Sequence, residues 1–295
     1  MKRFWILLIL LCLCVSMTGC KVLDYTKATG LYEKGEYTQA LALYQSLGDY
    51  ADSESMALLC SQKANYAEAG RLYVNGRYEQ ALTLYEGLGM YADSPVKVLA
   101  CRYELGVQSL AEKDYEQAIA WLAPLGSYED SGEKVAQARW EWLLQNEYTH
   151  VIEETAESYR AMALGPAEDG RLYLYLVNGG VLMGITYELE YYLLLEEGRP
   201  EAEYWIRYAS RGESDIENIA GGTVSLETFR SGGAVEIGHF QQWIDADEQS
   251  EYSQDPGDSM VIRSVLADAQ TQILTYLPDL LEETGVEISP ADLGL

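Results

Sequence analysis

"LGDYADS" stands at residues 47–53, "LGMYADS" at 88–94 and "LGSYEDS" at 125–131. The phrase recurs after 41 and then 37 residues, and so does the block before it: "GEYTQALALYQS" (35–46), "GRYEQALTLYEG" (76–87) and "KDYEQAIAWLAP" (113–124). A fixed period between about 20 and 50 residues marks stacked supersecondary units that bury one continuous core.

Each unit reads as two helices. Tyr37, Ala40, Leu41, Tyr44 and Leu47 follow at spacings that place them on one helix face. The equivalent faces are Tyr78, Ala81, Leu82, Tyr85 and Leu88, then Tyr115, Ala118, Ile119, Leu122 and Leu125. Small residues recur where helices cross closely: Ala40, Ala81 and Ala118 on the second helix, Ala28, Ala69 and Gly106 on the first. The phrase itself is then a helix stop, a plug and a helix start. Gly48, Gly89 and Gly126 supply the left-handed residue that ends a helix. Tyr50, Tyr91 and Tyr128 plug the corner. Ser53, Ser94 and Ser131 are expected to cap the next helix by accepting an orphan backbone N–H, worth about 1 kcal/mol. Pro95 suits a first helical position. After Ser131 comes one more helix, "GEKVAQARWEWLLQ", expected to cover the last apolar face of the array.

"LYEKGEYTQALALY" (31–44) and "LYVNGRYEQALTLY" (72–85) resemble the tetratricopeptide repeat, with its Gly-x-Tyr-x-x-Ala-x-x-x-aromatic core. The third copy departs from it: Lys113 replaces the Gly and Leu122 the aromatic. The periods also exceed the usual ~34 residues, and a Leu-Gly-x-Tyr-x-Asp/Glu-Ser corner replaces the usual Pro. The resemblance covers about 22–148. It implies a helix-hairpin solenoid whose first helices line a groove for a protein or peptide. Carried over by position, the groove residues are Tyr25, Thr29 and Tyr32, then Tyr66, Gly70 and Tyr73, then Tyr103, Val107 and Leu110. Tyr25, Tyr66 and Tyr103 are equivalent. Tyrosine suits a binding face, and it equally suits packing against the neighbouring helix, so both readings stand at this point.

The first twenty residues, "MKRFWILLILLCLCVSMTGC", form a separate object. Lys2 and Arg3 give a basic start, and the apolar run from Phe4 to Met17 falls short of the ~20 residues that span a bilayer, as in a secretory signal. Met17-Thr18-Gly19-Cys20 resembles the lipobox of bacterial lipoproteins, with Met in place of the usual Leu. The resemblance implies cleavage before Cys20, a diacylglyceryl thioether on its sulfur, and anchorage outside the cytoplasmic membrane. Cys12 and Cys14 leave with the signal. Cys60 and Cys101 remain, at equivalent places in adjacent units. Neighbouring helices lie ~8–10 Å apart and a disulfide needs Cα atoms within ~7 Å, so both are expected to be buried thiols, as Ala138 is a small buried residue in the third unit.

The chain carries 47 Asp and Glu against 20 Lys and Arg. Such a surface repels nucleic acid and anionic headgroups. The acidity concentrates late: no Lys follows Lys134, and residues 150–295 hold 7 Arg against 28 acidic residues. The period there changes from helical to two. "VLMGITYELEYYLL" puts Val181, Met183, Ile185, Tyr187, Leu189, Tyr191 and Leu193 on one face of a strand, with a bulge at Gly184. "RLYLYLV" (171–177) precedes it across Asn178-Gly179-Gly180, a hairpin signal. "AEYWIRYAS" (202–210), "TVSLETF" (223–229) and "AVEIGHFQQW" (234–243) complete an antiparallel meander of about five strands. Ser259 then caps a helix with Ile262, Val265, Leu266, Ala269, Ile273, Tyr276, Leu277, Leu280 and Leu281 at helical spacing, kinked or restarted at Pro278 and ended by Gly285. An open sheet with one apolar face needs such a cover.

Catalytic motifs are absent from the sequence. His150 and His239 are isolated, and Ser131-x-x-Lys134 is only the third copy of the corner serine. "DADEQSEYSQDPGD" (245–258) alternates oxygen ligands at Asp245, Asp247 and Glu251, with Gln249 between them, but lacks the Gly and terminal Glu of a calcium hand. A solvated acidic loop explains it as well, so no metal or cofactor is assigned. The expected architecture is therefore a multidomain chain. A signal segment (1–19) precedes an all-α domain of three tetratricopeptide-like units plus a capping helix (20–149). An α+β domain with an antiparallel sheet and C-terminal covering helix (150–295) follows. The expected function is non-enzymatic binding of a protein or peptide partner at the cell surface, outside the cytoplasmic membrane, through the repeats. The alternative is a small ligand or calcium held by the sheet domain, between sheet and helix. An enzyme acting on glycans would need two facing carboxylates.

Overall fold

The computed structural model describes residues 21–182, 185–211, 215–246, 249–250 and 260–295. The segment expected to be a signal (1–19) and Cys20 lie outside them, as do Gly184, Asp247, Glu251 and Ser259. From residue 21 to Leu143 the chain is helical. From Tyr148 it forms an antiparallel sheet followed by a C-terminal helix. It divides into two compact units. One is formed by residues up to Ser109 with Trp121–Ser131, the other by Leu110–Ala120 with Gly132–Leu295.

Helices α1 (21–33), α2 (Tyr37–Leu47), α3 (Ser53–Val74), α4 (Tyr78–Leu88), α5 (Ser94–Ala111) and α6 (Tyr115–Leu122) follow the expected boundaries. Ala28, Ala40, Ala69, Ala81 and Ala118 have no exposed surface, as their crossing role requires. Cys60 and Cys101 are free, buried thiols. The third copy's departures turn out to be one paired change. A Cβ at Gly106 would sit 2.3 Å from Leu122 Cγ, and Leu122 stands where the other copies carry Tyr44 and Tyr85. The branched leucine fills the space left by the missing methyl.

The corners differ from expectation in one respect. Gly48, Gly89 and Gly126 have φ near +59°, +57° and +59°, with ψ of −123°, −120° and −113°. That is a conformation open in practice to glycine, and the left-handed helical residue comes three positions later, at Ala51, Ala92 and Glu129. The serines are not caps. The helices start at Ser53, Ser94 and Ser131 themselves, and no side-chain cap bond forms at Asp52. All three serines are fully buried. The hydroxyls of Ser53 and Ser94 have no partner, and that of Ser131 donates to the Tyr128 carbonyl at 2.6 Å. Serine fits here because it is small.

Helix α7 (Ser131–Leu143) does more than cover helices. Ala138 packs with Tyr115, Ala118 and Ile119, but Trp140 and Leu143 belong to the core of the sheet. The C-terminal segment is fastened to it: Arg139 Nη1 donates to Asp292 Oδ1 at 2.7 Å, and Trp142 Nε1 donates to the Thr284 carbonyl at 3.1 Å.

The sheet has eight consecutive antiparallel strands: β1 (Tyr148–Glu154), β2 (Ser158–Pro166), β3 (Leu172–Leu182), β4 (Ile185–Leu195), β5 (Glu201–Arg211), β6 (Asp215–Ser225), β7 (His239–Ala246) and β8 (Gln249–Ser250). The meander order matches the sequence reading; two strands precede it unannounced. β2 gave no period-two signal because Ala161 to Gly165 are all buried, leaving nothing to alternate. The hairpin expected at Asn178-Gly179-Gly180 is not there. β3 runs straight through, pairing Asn178 with Leu189, Gly179 with Glu188 and Gly180 with Tyr187, so the supposed single strand 181–194 is split between β3 and β4. Val181 is accordingly half exposed while Leu189, Tyr191 and Leu193 are buried. The glycines serve close approach: a Cβ at Gly180 would lie 2.9 Å from both the Glu157 carbonyl oxygen and Tyr187 Oη. The run 223–229 is likewise not one strand. Ser225 accepts from the Thr228 N–H and starts helix α8 (Leu226–Arg230).

Helix α9 (Met260–Glu282) covers the sheet as expected, continuing through Pro278 to stop before Gly285, whose φ is +75°. Ile262, Leu266, Ala269, Ile273 and Leu277 share one core with Leu174, Leu176, Tyr191, Leu193, Tyr204 and Ile206. Gln270 Nε2 donates to the Phe229 carbonyl at 2.6 Å, tying α9 to α8.

Candidate functional site

The nine groove positions derived from the repeats are all half-buried, and most of their polar groups are engaged within the helical array. Tyr25 donates its hydroxyl to Asp52 Oδ1 at 2.5 Å, Tyr66 to Asp93 Oδ1, and Tyr103 to Asp130 Oδ1 at 2.6 Å. In each case the acceptor is the Asp of the corner phrase, 27 residues on. Each ring also meets the corner tyrosine edge-on, Tyr25 on Tyr50, Tyr66 on Tyr91 and Tyr103 on Tyr128, all with centroids 5.9 Å apart. The hydrogen bond to the carboxylate, with some burial, pushes all three hydroxyls up to about 12. This ladder is a set of latches that close the corners.

The remaining positions vary between units. Thr29 Oγ1 lies 3.0 Å from Tyr44 Oη, whereas Gly70 leaves Tyr85 Oη 3.6 Å from where its Cβ would be. Tyr32 packs on Tyr37 and Tyr73 on Tyr78, with centroids 5.6 and 5.3 Å apart. Lys63 Nζ sits over the first pair, 5.6 and 5.3 Å from the two rings. At the equivalent place beside the second pair stands Glu104, which accepts from Tyr73 Oη at 3.3 Å. Leu110 packs with Tyr115 and Ala118, and Val107 is half-buried on α5. One face thus repeats its geometry while changing its chemistry.

In the sheet unit, the space between sheet and α9 is filled by the side chains named above. Among the residues whose side chains are described no Asp or Glu is buried, and no three His, Cys, Asp or Glu side chains cluster as metal ligands. Of the calcium candidates, Asp245 pairs with Asp215 and Ser250 through the backbone of β7. The opposite face of the sheet carries the cavity. Ala202, Tyr204 and Ile206 point to the core, so Glu203, Trp205 and Arg207 point away from it. Trp205 is 55% exposed, and Tyr192 beside it 38%. The pairing register sets Tyr175, Tyr192, Trp205, Gly221 and His239 in one row across β3 to β7. A cavity of about 420 Å³ opens where that row reaches Gly221, lined by Glu203, Trp205, Gly222, Thr223 and His239 among others. The signal for it was present in "AEYWIRYAS": an indole on what the alternation marks as the polar face.

Among the described residues no helix is long and apolar enough to cross a membrane. Comparison of the chain with protein-family models, with curated proteins and with solved structures returns no match, so these surfaces are read from their own chemistry.

Proposed function

We propose that the chain is a non-enzymatic binding protein, held outside the cytoplasmic membrane by a lipid on Cys20, whose first half is a short solenoid of tetratricopeptide-like units that holds a protein or peptide. One observation carries this reading. The residues that recur identically in every unit, the latch tyrosines and the corner aspartates, are engaged within the unit. The residues that differ lie together on the first-helix side: Thr29, Gly70 and Val107, with Lys63 answered by Glu104. A scaffold that only had to stand up would have no need to change the chemistry of these first-helix positions while keeping its latches constant. Variation on a constant frame is how a repeat surface acquires specificity.

The test uses the full chain in its native membrane. A photo-crosslinking residue is placed singly at positions 29, 70 and 107, and at Thr83 on the exposed outer side of α4. The proposal expects one and the same crosslinked partner from the first three sites and none from 83. Crosslinking from 83 alone overturns the groove. Cys20→Ser is expected to release the chain from the membrane fraction; retention overturns the lipid anchor.

A further inference from the structure

We propose that the outer face of the sheet is a binding site for a neutral sugar ring, a pyranose unit of a glycan, stacked on Trp205. The site is independent of the helical groove and of any partner held there.

The geometry begins with an anomaly. Trp205 lies in β5, in the middle of an eight-stranded sheet, yet more than half of its surface is open. A large apolar ring displayed in that place costs solubility unless something covers it. Its neighbour across β6 is Gly221, and the missing side chain turns the flank of the indole into the wall of the cavity. On the other side, Tyr192 and Tyr175 extend the aromatic row. Their rings are packed 4.4 Å apart at 32°, so they close on each other and leave no slit between them. The result is an open indole beside a glycine-floored hollow. Such an indole matches the apolar C–H face of a pyranose, and the hydroxyls around that ring need polar groups at the edge. Glu203, Thr223 and His239 stand at that edge.

Charge then selects the ligand. The chain as a whole carries −27, which disfavours anions. A cation would be drawn to aromatic rings next to free carboxylates, but the carboxylates here are each already held by a guanidinium. Glu203 is bound by Arg171 at 2.9 Å, and Glu190 by Arg207 at 3.1 Å. Both arginines are shared, Arg171 also holding Asp169 at 2.7 Å and Arg207 lying 3.7 Å from Glu188, so the patch keeps a net negative charge while each of these carboxylates has a guanidinium neighbour. Fixed ion pairs of this kind still offer oxygen acceptors and guanidinium donors to hydroxyl groups. A proline-rich peptide, the other ligand of aromatic surfaces, docks in slots between rings, and the Tyr175–Tyr192 contact removes the slot.

Soluble cello-, manno- and N-acetylchito-oligosaccharides serve as probes with the full chain, read by saturation-transfer NMR and by titration calorimetry. The expected result is binding by at least one series, weakened at least about tenfold by Trp205→Ala. The exposed position of Trp205 should leave the melting temperature within about 2 °C. Tyr192→Ala gives a second, independent reading of the same aromatic row and should weaken binding less. The idea is overturned if none of the three series binds at millimolar concentration, or if binding survives Trp205→Ala unchanged. It is equally overturned if a proline-rich peptide or a trimethylammonium ligand binds at Trp205 and the sugars do not. The crosslinks from positions 29, 70 and 107 should persist in Trp205→Ala; their loss alone, with sugar binding intact in the parent chain, would count against the helical reading and not against this one.

Discussion

The helical corners and the sheet are both rich in tyrosine, and they use it in opposite ways. At the corners, Tyr25, Tyr66 and Tyr103 stay partly exposed and are held by their hydroxyls, each to a carboxylate on the next corner. In the sheet, Tyr191 and Tyr204 are nearly or wholly buried and are held by their rings, which stack 6.1 Å apart. Burial is what raises the Tyr204 hydroxyl to about 12, and it donates to the Glu236 carbonyl at 2.7 Å. The Tyr191 hydroxyl has no partner. A repeated local latch can be written into sequence three times; a ring in a sheet core is defined only by strands far away in the chain.

Close packing offers the sharpest way to break the comparison. Gly106→Ala must push Leu122 aside, since the new Cβ would stand 2.3 Å from its Cγ. The expected cost is about 1–3 kcal/mol. Gly180→Ala in the sheet meets a backbone carbonyl as well as Tyr187, and a comparable loss is expected. Gly70→Ala meets only Tyr85 Oη at 3.6 Å and should be neutral, or stabilising by up to about 1 kcal/mol through helix propensity. Thermal unfolding of the three variants decides it. If Gly106→Ala is as stable as the parent, the pairing of Gly106 with Leu122 does not explain the third copy.

The same contrast explains what could be read in advance. The helices were legible because each unit's contacts are local and its phrase is repeated, so Ala28, Ala69 and Gly106 identify one another. The register of the sheet was not. Asn178-Gly179-Gly180 has the composition of a turn, and only the approach of Glu157, between β1 and β2, and of Tyr187 on β4 shows why glycine is there. The buried run 161–165 is silent for the same reason: both faces are covered, so period two disappears. The aromatic row was half legible. Trp205 breaks the polar face of β5 in the sequence, but its alignment with Tyr192, Gly221 and His239 is a property of pairing. The tyrosine ladder was visible while its purpose was not, because the aspartate that captures each hydroxyl stands 27 residues away.

Alkaline titration sharpens the distinction between latch and core. A free tyrosine titrates near pH 10; the three latch hydroxyls are raised to about 12 because the neutral form donates to a carboxylate. A folded value above the unfolded one means that the stabilisation is complete below pH 10 and is lost as the pH climbs towards 12. Replacing Tyr25, Tyr66 and Tyr103 together by Phe should therefore lower stability at pH 8, and the gap from the parent should close between about pH 10 and 12. Denaturant unfolding across that window checks it. A gap that stays constant would mean that the rings alone hold the corners.

The smallest expected effect is the most discriminating for the corners. If Ser53 and Ser94 were helix caps, replacing either by Ala would cost about 1 kcal/mol. In the structure both hydroxyls are buried without a partner, while the preceding aspartates, Asp52 and Asp93, are occupied by Tyr25 and Tyr66. An unpaired buried hydroxyl is itself unfavourable. Ser53→Ala and Ser94→Ala should then be neutral or slightly stabilising, whereas Ser131→Ala removes a 2.6 Å bond to the Tyr128 carbonyl and should be mildly destabilising. That ordering, with the third corner differing from the first two, separates a serine kept for its size from a serine kept for its hydrogen bond. A uniform loss of about 1 kcal/mol at all three corners would restore the capping role that the phrase suggests when read as sequence alone.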